Sequence, residues 1–329
     1  MMGNMFGLMS SIIVLVSASS LSASPIEAKP VTDFLVMADM PYTIIDHKNL
    51  APTGLLGKKI AQTPHGFLMH LGDMKAGAEP CTDKLLTTHK QLLSTLTEQP
   101  FVFTPGDNDW TDCDRENLTP RYDELERLAF IKELMFDKAY LEKVTTLTGF
   151  KRQTSMTENA RWQFADVEFM TLHIAGTHNG RRQVLKSDKQ MAYHHADLRD
   201  SNNLSWLAQA DPKAKAYVIA FQADIYTHKT EQAACSELVT ANCDGFKIYR
   251  DALAQFAQSV EKPVLVIHGD TGEFCQQKLA ANLTRLNAPG DYMFSDIAQV
   301  SITESKDSNE INWQITSLKT NKPLVRICN

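Results

Sequence analysis

Several common signatures are missing from this sequence of 329 residues. It has neither a G-x-x-x-x-G-K-[ST] phosphate loop nor a G-x-G-x-x-G fingerprint, which argues against the nucleotide-binding folds built on those loops. It has no G-x-S-x-G motif, which disfavours a serine hydrolase with a nucleophile elbow. An internal repeat, a low-complexity tract and a clear linker are also lacking, so one compact domain is favoured over two.

Positive charge is in deficit. The chain has 33 Lys and Arg against 39 Asp and Glu, a net charge of −6, and it contains no basic run. Non-specific binding to nucleic acid depends on such charge and is therefore disfavoured. We expect no nucleic-acid partner and a monomeric protein.

Charged residues are also missing between Met5 and Ala23, where an apolar stretch is followed by small residues. This pattern predicts a signal peptide over residues 1–24, although its start lacks the usual Lys or Arg. An uncleaved membrane anchor is the alternative, but the apolar part is shorter than the ~20 residues that a span requires. We therefore expect a periplasmic or extracellular protein whose mature part, 25–329, has no membrane span.

The six cysteines form no CxxC pair, which disfavours a structural zinc site. An even number in an exported chain predicts disulfides, with about 15 possible pairings. Cys235 and Cys243 bracket one short polar loop and can close it. A bridge to Cys328 would hold the C-terminus. The remaining cysteines are Cys81, Cys113 and Cys275.

Short, continuous apolar runs alternate with helical patterns along the chain. Such runs are typical of strands covered on both faces, and their alternation with helices predicts an α/β sandwich. The predicted strands are 33–38, 66–71, 101–104, 167–174, 216–221 and 263–268, with antiparallel strands in 292–303 and 309–318. The predicted helices are 82–96, 122–136, 196–210 and 245–260.

Polar residues follow five of these strands directly. Ligands of open α/β sheets bind beyond the carboxyl ends of strands. Any one such Asp is commonly a turn former or a helix cap, but five loops at one edge are harder to explain in that way. Carboxylates that converge would repel one another unless a hard divalent cation lay among them. The residues concerned are Asp39, Asp73, Asp107, Asp224 and Asp270, with Gln222 and Asn108 beside them.

The loops resemble those of the calcineurin-like metallophosphoesterases, in particular a divergent, exported bacterial branch. The similar segments are ADMPY (38–42), GDMKAG (72–77), PGDNDWTDC (105–113), QAD (222–224) and HGDTG (268–272), together with ENARW (158–162) and LHIAGTHN (172–179). The resemblance covers roughly residues 33 to 275. It implies the family's sandwich of β-sheets flanked by helices, and metal-dependent hydrolysis of a phosphate ester.

The resemblance also implies roles for individual residues. The wider family holds two metals joined by one Asp, a position taken here by Asp73. By position, Asp39 would bind the first metal, and Asp107, Gln222 and Asp270 would bind the second with Asp73. Asn108 stands where the family has a His that helps the leaving group, and His178 is a further catalytic candidate. Lys75, Arg161 and Asn179 are candidates for binding the substrate phosphate.

Two departures from the family bear on activity. Pro41 and Gly272 stand where the family has His ligands of the first metal. The remaining donors are oxygens, which favours Mg²⁺, Mn²⁺ or Ca²⁺ over Zn²⁺ or Fe. One metal is expected, and the second is left open. The alternative is a metal- or phosphate-binding protein that has lost turnover; no residue identifies the substrate beyond a small phosphorylated molecule.

The predicted loops also suggest the disulfide pairing. Cys81 and Cys113 lie in loops that follow neighbouring strands at the same edge, eight and seven residues after Asp73 and Gly106. We expect them to pair and to tie two site loops together. Cys235–Cys243 and Cys275–Cys328 then follow by elimination and proximity.

Overall fold

The structure, a computed structural model, describes Met1 and residues 31–328 apart from 228, 231, 272 and 306–309. The predicted signal peptide (1–24) and Gly272 lie outside the described residues. Residues Val31–Asn329 form one unit by their internal contacts. Among the described residues, no helix has both the length and the apolar character needed to cross a membrane.

The described elements alternate as an α/β chain for most of its length. The strands are β1 (Asp33–Met37), β2 (Leu68–His70), β3 (Phe101–Phe103), β4 (Thr148–Arg152), β5 (Ala160–Phe164), β6 (Val167–Thr171), β7 (Ala216–Ala220), β8 (Val264–His268), β9 (Cys275–Lys278), β10 (Leu283–Asn287), β11 (Ala298–Glu304), β12 (Ile311–Ser317) and β13 (Lys322–Pro323). The helices are α1 (Ile44–Leu50), α2 (Leu55–Gln62), α3 (Asp83–Ser94), α4 (Glu124–Met135), α5 (Lys138–Val144), α6 (Gly176–Gly180), α7 (Lys189–Leu207) and α8 (Lys247–Val260).

The strands form two sheets. One has the order β13-β12-β11-β1-β2-β3, and the other has the order β4-β5-β6-β7-β8-β10-β9. β1, β2 and β3 are parallel to one another, as are β6, β7, β8 and β10. The carboxyl ends of parallel strands meet at one edge of each sheet, which is where the polar loops predicted from the sequence begin.

Two apolar cores cover the seven-stranded sheet. Val218 of β7 and Leu265 of β8 belong to the larger core, which also contains the residues of β1. Ile219 and Val266, one position further along, belong to a second core with Leu253 of α8. Because successive side chains of a strand point to opposite faces, this alternation shows that both faces are covered. It explains why the strands read as continuous apolar runs.

The sequence-based boundaries are close for the parallel strands and less accurate elsewhere. The helix predicted at 196–210 begins earlier, because Asp188 caps α7 through the N–H of Met191. His194 and His195 therefore lie inside this helix and not at its start. The strand predicted from 292 begins at Ala298.

Three disulfides join the described cysteines, in the pairing expected from the sequence: Cys81–Cys113, Cys235–Cys243 and Cys275–Cys328. Cys81 lies between β2 and α3, and Cys113 lies between β3 and α4. The first bridge therefore ties the loops that follow two neighbouring parallel strands. Disulfides of this kind persist in oxidising compartments.

Candidate metal centre

Four aspartates from the ends of four strands lie together in one crevice. Carboxylate oxygens of Asp73, Asp107 and Asp270 all lie within 4.8 Å of one another. Asp39 joins them, because its carboxylate oxygens lie 3.0 and 3.2 Å from the backbone nitrogen of Asp270, which donates to them. The structure thus brings together the four acids predicted as metal ligands.

Three of these aspartates adopt an unusual backbone conformation. The φ angles of Asp39, Asp73 and Asp270 are 53°, 58° and 76°, in the left-handed region. Asp tolerates this region better than most residues with a Cβ. The sequence reasoning assigned the sharp turn to the preceding glycine, whereas here the aspartate itself makes the turn.

Glycines allow the chain to pass close to the acids. A Cβ on Gly106 would lie 2.0 Å from Oδ1 of Asp73, and a Cβ on Gly176 would lie 2.2 Å from Oδ2 of Asp107. Neither position has room for a larger residue, since real Cβ contacts are never so short. The two glycines therefore let backbone segments surround the carboxylates.

A fifth aspartate, Asp109, holds two of the site loops together. Its carboxylate accepts the backbone N–H groups of Asp73 and Met74, each at 2.9 Å, and of Gly106 at 2.8 Å. It is fully buried. The loop after β2 and the loop after β3 are thereby fixed to each other through one side chain.

Burial and mutual repulsion raise the pKa values of the clustered acids. Burial, opposed in part by the Asp270 N–H, raises the pKa of Asp39 to about 8. Burial and then the charge of Asp107 raise the pKa of Asp73 and of Asp270 well above the usual range. A divalent cation would reverse this effect by favouring the ionised carboxylates. Three oxygen donors this close together fit one hard cation such as Mg²⁺, Mn²⁺ or Ca²⁺.

Gln222 lies in the crevice, but its amide faces the wrong way for a metal ligand. Its Oε1 accepts the backbone N–H of Gly176 at 2.7 Å, and its Nε2 donates to Asp73 Oδ2 at 3.0 Å and to Asp107 Oδ1 at 3.1 Å. A backbone N–H can only donate, so the amide oxygen must face Gly176. The prediction that Gln222 supplies an oxygen ligand is therefore wrong.

Two residues predicted to bind phosphate have other partners. Lys75 is fully buried, and its Nζ donates to the backbone oxygen of Ala76 at 3.0 Å. Burial lowers its pKa, whereas the nearby charge of Asp109 raises it. Arg161 donates to the backbone oxygens of Gln209 and Trp206, with its guanidinium 3.8 Å from the Trp206 ring centre. Both predictions are wrong, because these cations are committed to the fold.

Asn179 is also structural. Its Oδ1 accepts the N–H of Ala175, and its Nδ2 donates to Asp200 and Tyr249, so it fastens the segment beside Asp107 from behind. The role predicted for it in substrate binding is wrong, because it is fully buried.

His178 lines a cavity of ≈ 540 Å³ that Asp107 and Asp270 also line. Its Nδ1 accepts the N–H of Gly245 at 3.3 Å. Burial lowers its pKa to about 4, so the ring is neutral near pH 7. It lies on the cavity wall, and its catalytic role stays a prediction.

The other ligand candidates near the site are engaged elsewhere. His173 faces Glu158, with Nδ1 and Oε1 3.4 Å apart, and His268 contacts the backbone oxygen of Gly269 at 3.0 Å. Glu273, considered as a substitute for Gly272, forms an ion pair with Arg326 at 2.8 Å.

Asn108 faces a second, smaller cavity of ≈ 290 Å³ on the other side of the acids. Its Nδ2 donates to the hydroxyl oxygen of Tyr42 at 2.8 Å, and its backbone N–H donates to Asp73 Oδ1 at 3.0 Å. Burial and then the charge of Asp73 raise the pKa of Tyr42 well above its ordinary value, so this hydroxyl keeps its proton.

Arg115 was missed by the sequence reasoning. It lines both cavities, together with Asp107 and Asp270. Its guanidinium pairs with Asp112 and donates from Nε to Gln183 Oε1 at 3.1 Å. The signal was present, because Arg115 follows Cys113 by two residues and the predicted disulfide places that segment beside the loop after β2. Arg182 lines the larger cavity as a second, exposed cation.

Known structures share this architecture. A dimetal phosphatase from Danio rerio is 11% identical, with 88% of this chain and 96% of that chain covered and a TM-score of 0.53. A 5'-nucleotidase from Candida albicans is 8% identical, with 88% and 52% covered and a TM-score of 0.45. The anchor GAP50 of the Plasmodium inner membrane complex is 14% identical, with 88% and 85% covered and a TM-score of 0.46. No family model and no curated protein matches the chain.

The first of these likenesses concerns the fold, and it agrees with the two sheets flanked by helices described above. The predicted fold class, a calcineurin-like metallophosphoesterase sandwich, is confirmed.

Proposed function

We propose that this chain is an exported, metal-dependent phosphoesterase that hydrolyses a small phosphate ester. The observation that carries the proposal is the convergence of Asp73, Asp107 and Asp270 from three strand ends, with carboxylate oxygens within 4.8 Å of one another. A divalent cation bound there would supply Lewis-acid activation and neutralise charge at phosphorus. The fold that the chain shares with a dimetal phosphatase supports the same chemistry.

The chain's own residues provide the remaining requirements of such a site. Arg115 lies between the two cavities, where its guanidinium can receive phosphate oxygens. Asn108 and Tyr42 line one side of the acids and offer neutral hydrogen-bonding groups. His178, on the other side, is a candidate to hold or pass a proton while neutral.

Export is part of the proposal. Three disulfides that close loops of different size support an oxidising compartment, periplasmic or extracellular. The resemblance of the loops to an exported bacterial branch of the metallophosphoesterases points the same way, as does the predicted signal peptide.

A second candidate function is binding of metal or phosphate without turnover. The observation that favours it is the replacement of family ligands, because Pro41 offers no donor and the Gln222 amide presents its NH₂ group to the acids. This alternative keeps the same crevice and the same cation, and it differs only in the absence of hydrolysis.

One experiment separates the two. Purified protein is analysed for bound metal, and hydrolysis of an aryl phosphate is measured with Mg²⁺, Mn²⁺, Ca²⁺ or Zn²⁺ supplied. Turnover with an oxygen-preferring cation supports the phosphoesterase. Binding of metal and phosphate with no turnover under any of these conditions favours the binding protein.

A further inference from the structure

Asp73 Oδ2 already receives two hydrogen bonds from neutral side chains. Gln222 Nε2 lies 3.0 Å from this oxygen, and the Tyr42 hydroxyl lies 3.3 Å from it. In the family that the sequence resembles, the corresponding acid joins two cations. Here two uncharged donors occupy the surroundings of the oxygen that would bridge them.

The orientation of the Tyr42 hydroxyl follows from its other partner. Its oxygen accepts from Asn108 Nδ2 at 2.8 Å, so its own proton is left for an acid. The available acceptors are Asp73 Oδ2 at 3.3 Å and Asp39 Oδ1 at 3.5 Å. The hydroxyl therefore lies between the two acids that would hold the family's first metal.

The backbone and ring of Tyr42 are held in place independently of the acids. Its N–H donates to Asp46 Oδ2 at 3.0 Å, beside the capping box that starts α1. Its ring packs against Tyr292, with ring centres 5.2 Å apart. The hydroxyl is thus presented by a rigid element, as expected of a group built into a binding site.

Ligands for a second cation are scarce on this side. Pro41 follows Asp39 by two residues and has no donor atom. Both carboxylate oxygens of Asp39 already accept the N–H of Asp270. The fit to a cation at Asp73, Asp107 and Asp270 is good, whereas the residues around Asp39 and Tyr42 do not fit a second one.

We propose that Tyr42 takes the place of the second metal. In this proposal, which rests on the proposed function, the site holds one divalent cation at Asp73, Asp107 and Asp270. The Tyr42 hydroxyl then serves as a neutral hydrogen-bond donor to a phosphate oxygen in the smaller cavity. Gln222 supports this arrangement by donating to Asp73 and Asp107 from within the protein.

The number of bound ions tests the first half without reference to turnover. Protein titrated with Mn²⁺ is examined by calorimetry and by electron paramagnetic resonance. One ion per chain with the signal of an isolated Mn²⁺ is expected. Two ions with an exchange-coupled signal overturn the inference and leave the proposed function standing, whereas an absence of bound Mn²⁺ overturns both.

Binding of inorganic phosphate to the Mn²⁺-loaded protein tests the second half. Tyr42→Phe keeps the ring and should weaken phosphate about tenfold, since a hydrogen bond to a charged group is lost. Its Mn²⁺ affinity should stay within about twofold. Tyr292→Phe, in the same cavity, is the matched control and should change neither. Unchanged phosphate affinity in Tyr42→Phe, or a tenfold loss of Mn²⁺ affinity, contradicts the inference.

Discussion

The carboxylate of Asp109 accepts the backbone N–H of Asp73 at 2.9 Å, so that one buried acid determines where another lies. The same carboxylate holds Gly106, and through it the loop that carries Asp107. Asp109 is therefore a positioning residue for two of the proposed metal ligands.

Replacement of Asp109 by Asn tests this role. The three N–H groups that it accepts come from Asp73, Met74 and Gly106, and an amide would turn its NH₂ toward at least one of them. An unsatisfied buried N–H costs about 1–3 kcal/mol, so the free energy of unfolding should fall by that amount and Mn²⁺ affinity should fall with it. Thermal unfolding and calorimetry measure both.

Asp123→Asn is the matched control for Asp109→Asn. Asp123 caps α4 by accepting a single N–H, from Glu126, and Asn caps helices as well as Asp does. This variant should be almost neutral. Equal effects of the two substitutions would show that Asp109 has no special role.

The raised pKa of Asp39 predicts how the metal-free protein responds to pH. Burial raises this pKa from 3.8 to about 8, so the folded chain holds the proton more tightly than the unfolded chain. The resulting stability is fully present below pH 3.8 and is lost as the pH rises through about 8. In EDTA, the melting temperature should therefore fall between about pH 4 and pH 8, and Mn²⁺ should restore it at pH 8. Asp39→Asn should flatten this dependence; an unchanged slope would contradict the account.

The Cys81–Cys113 bridge should matter more than the Cys235–Cys243 bridge. The sequence separations are 32 and 8 residues. Loop-closure entropy gives losses of about 3.7 and 2.5 kcal/mol when each pair is replaced by Ser. Only the first pair joins two loops of the acid crevice, so only its removal should also weaken Mn²⁺ binding. Equal Mn²⁺ affinities in the two double variants would contradict this assignment.

Gln222→Glu should strengthen cation binding. The substitution preserves an oxygen for the N–H of Gly176 and replaces the NH₂ group between Asp73 and Asp107 by a carboxylate oxygen. An additional acid at the centre of the cluster should raise Mn²⁺ affinity at least about tenfold at pH 8. Gln222→Met, which fills a similar space without a charge, serves as the comparison. Weaker Mn²⁺ binding by the Glu variant would show that the amide orientation is wrong.

The strand ends were predictable, whereas several side-chain orientations at the site were not. Each acid follows an apolar run, and short runs of this kind are read from the sequence with little ambiguity. The orientation of the Gln222 amide depends on Gly176, 46 residues away in sequence. The burial of Lys75 depends on acids from another loop, and the position of Arg115 depends on a disulfide. Such features arise from tertiary contacts that local pattern does not contain.

Hydrolysis by Asp73→Asn tests the central claim most directly. Asp73 contributes an oxygen to the three-acid cluster, and the Asn variant keeps its shape while removing a charge. With Mn²⁺ and an aryl phosphate, kcat should fall at least about a hundredfold relative to the original chain. The fold should persist, because removal of one clustered acid relieves repulsion in the metal-free state. A kcat within a few-fold of the original, at matched Mn²⁺ occupancy, would contradict a metal-dependent phosphoesterase at this crevice.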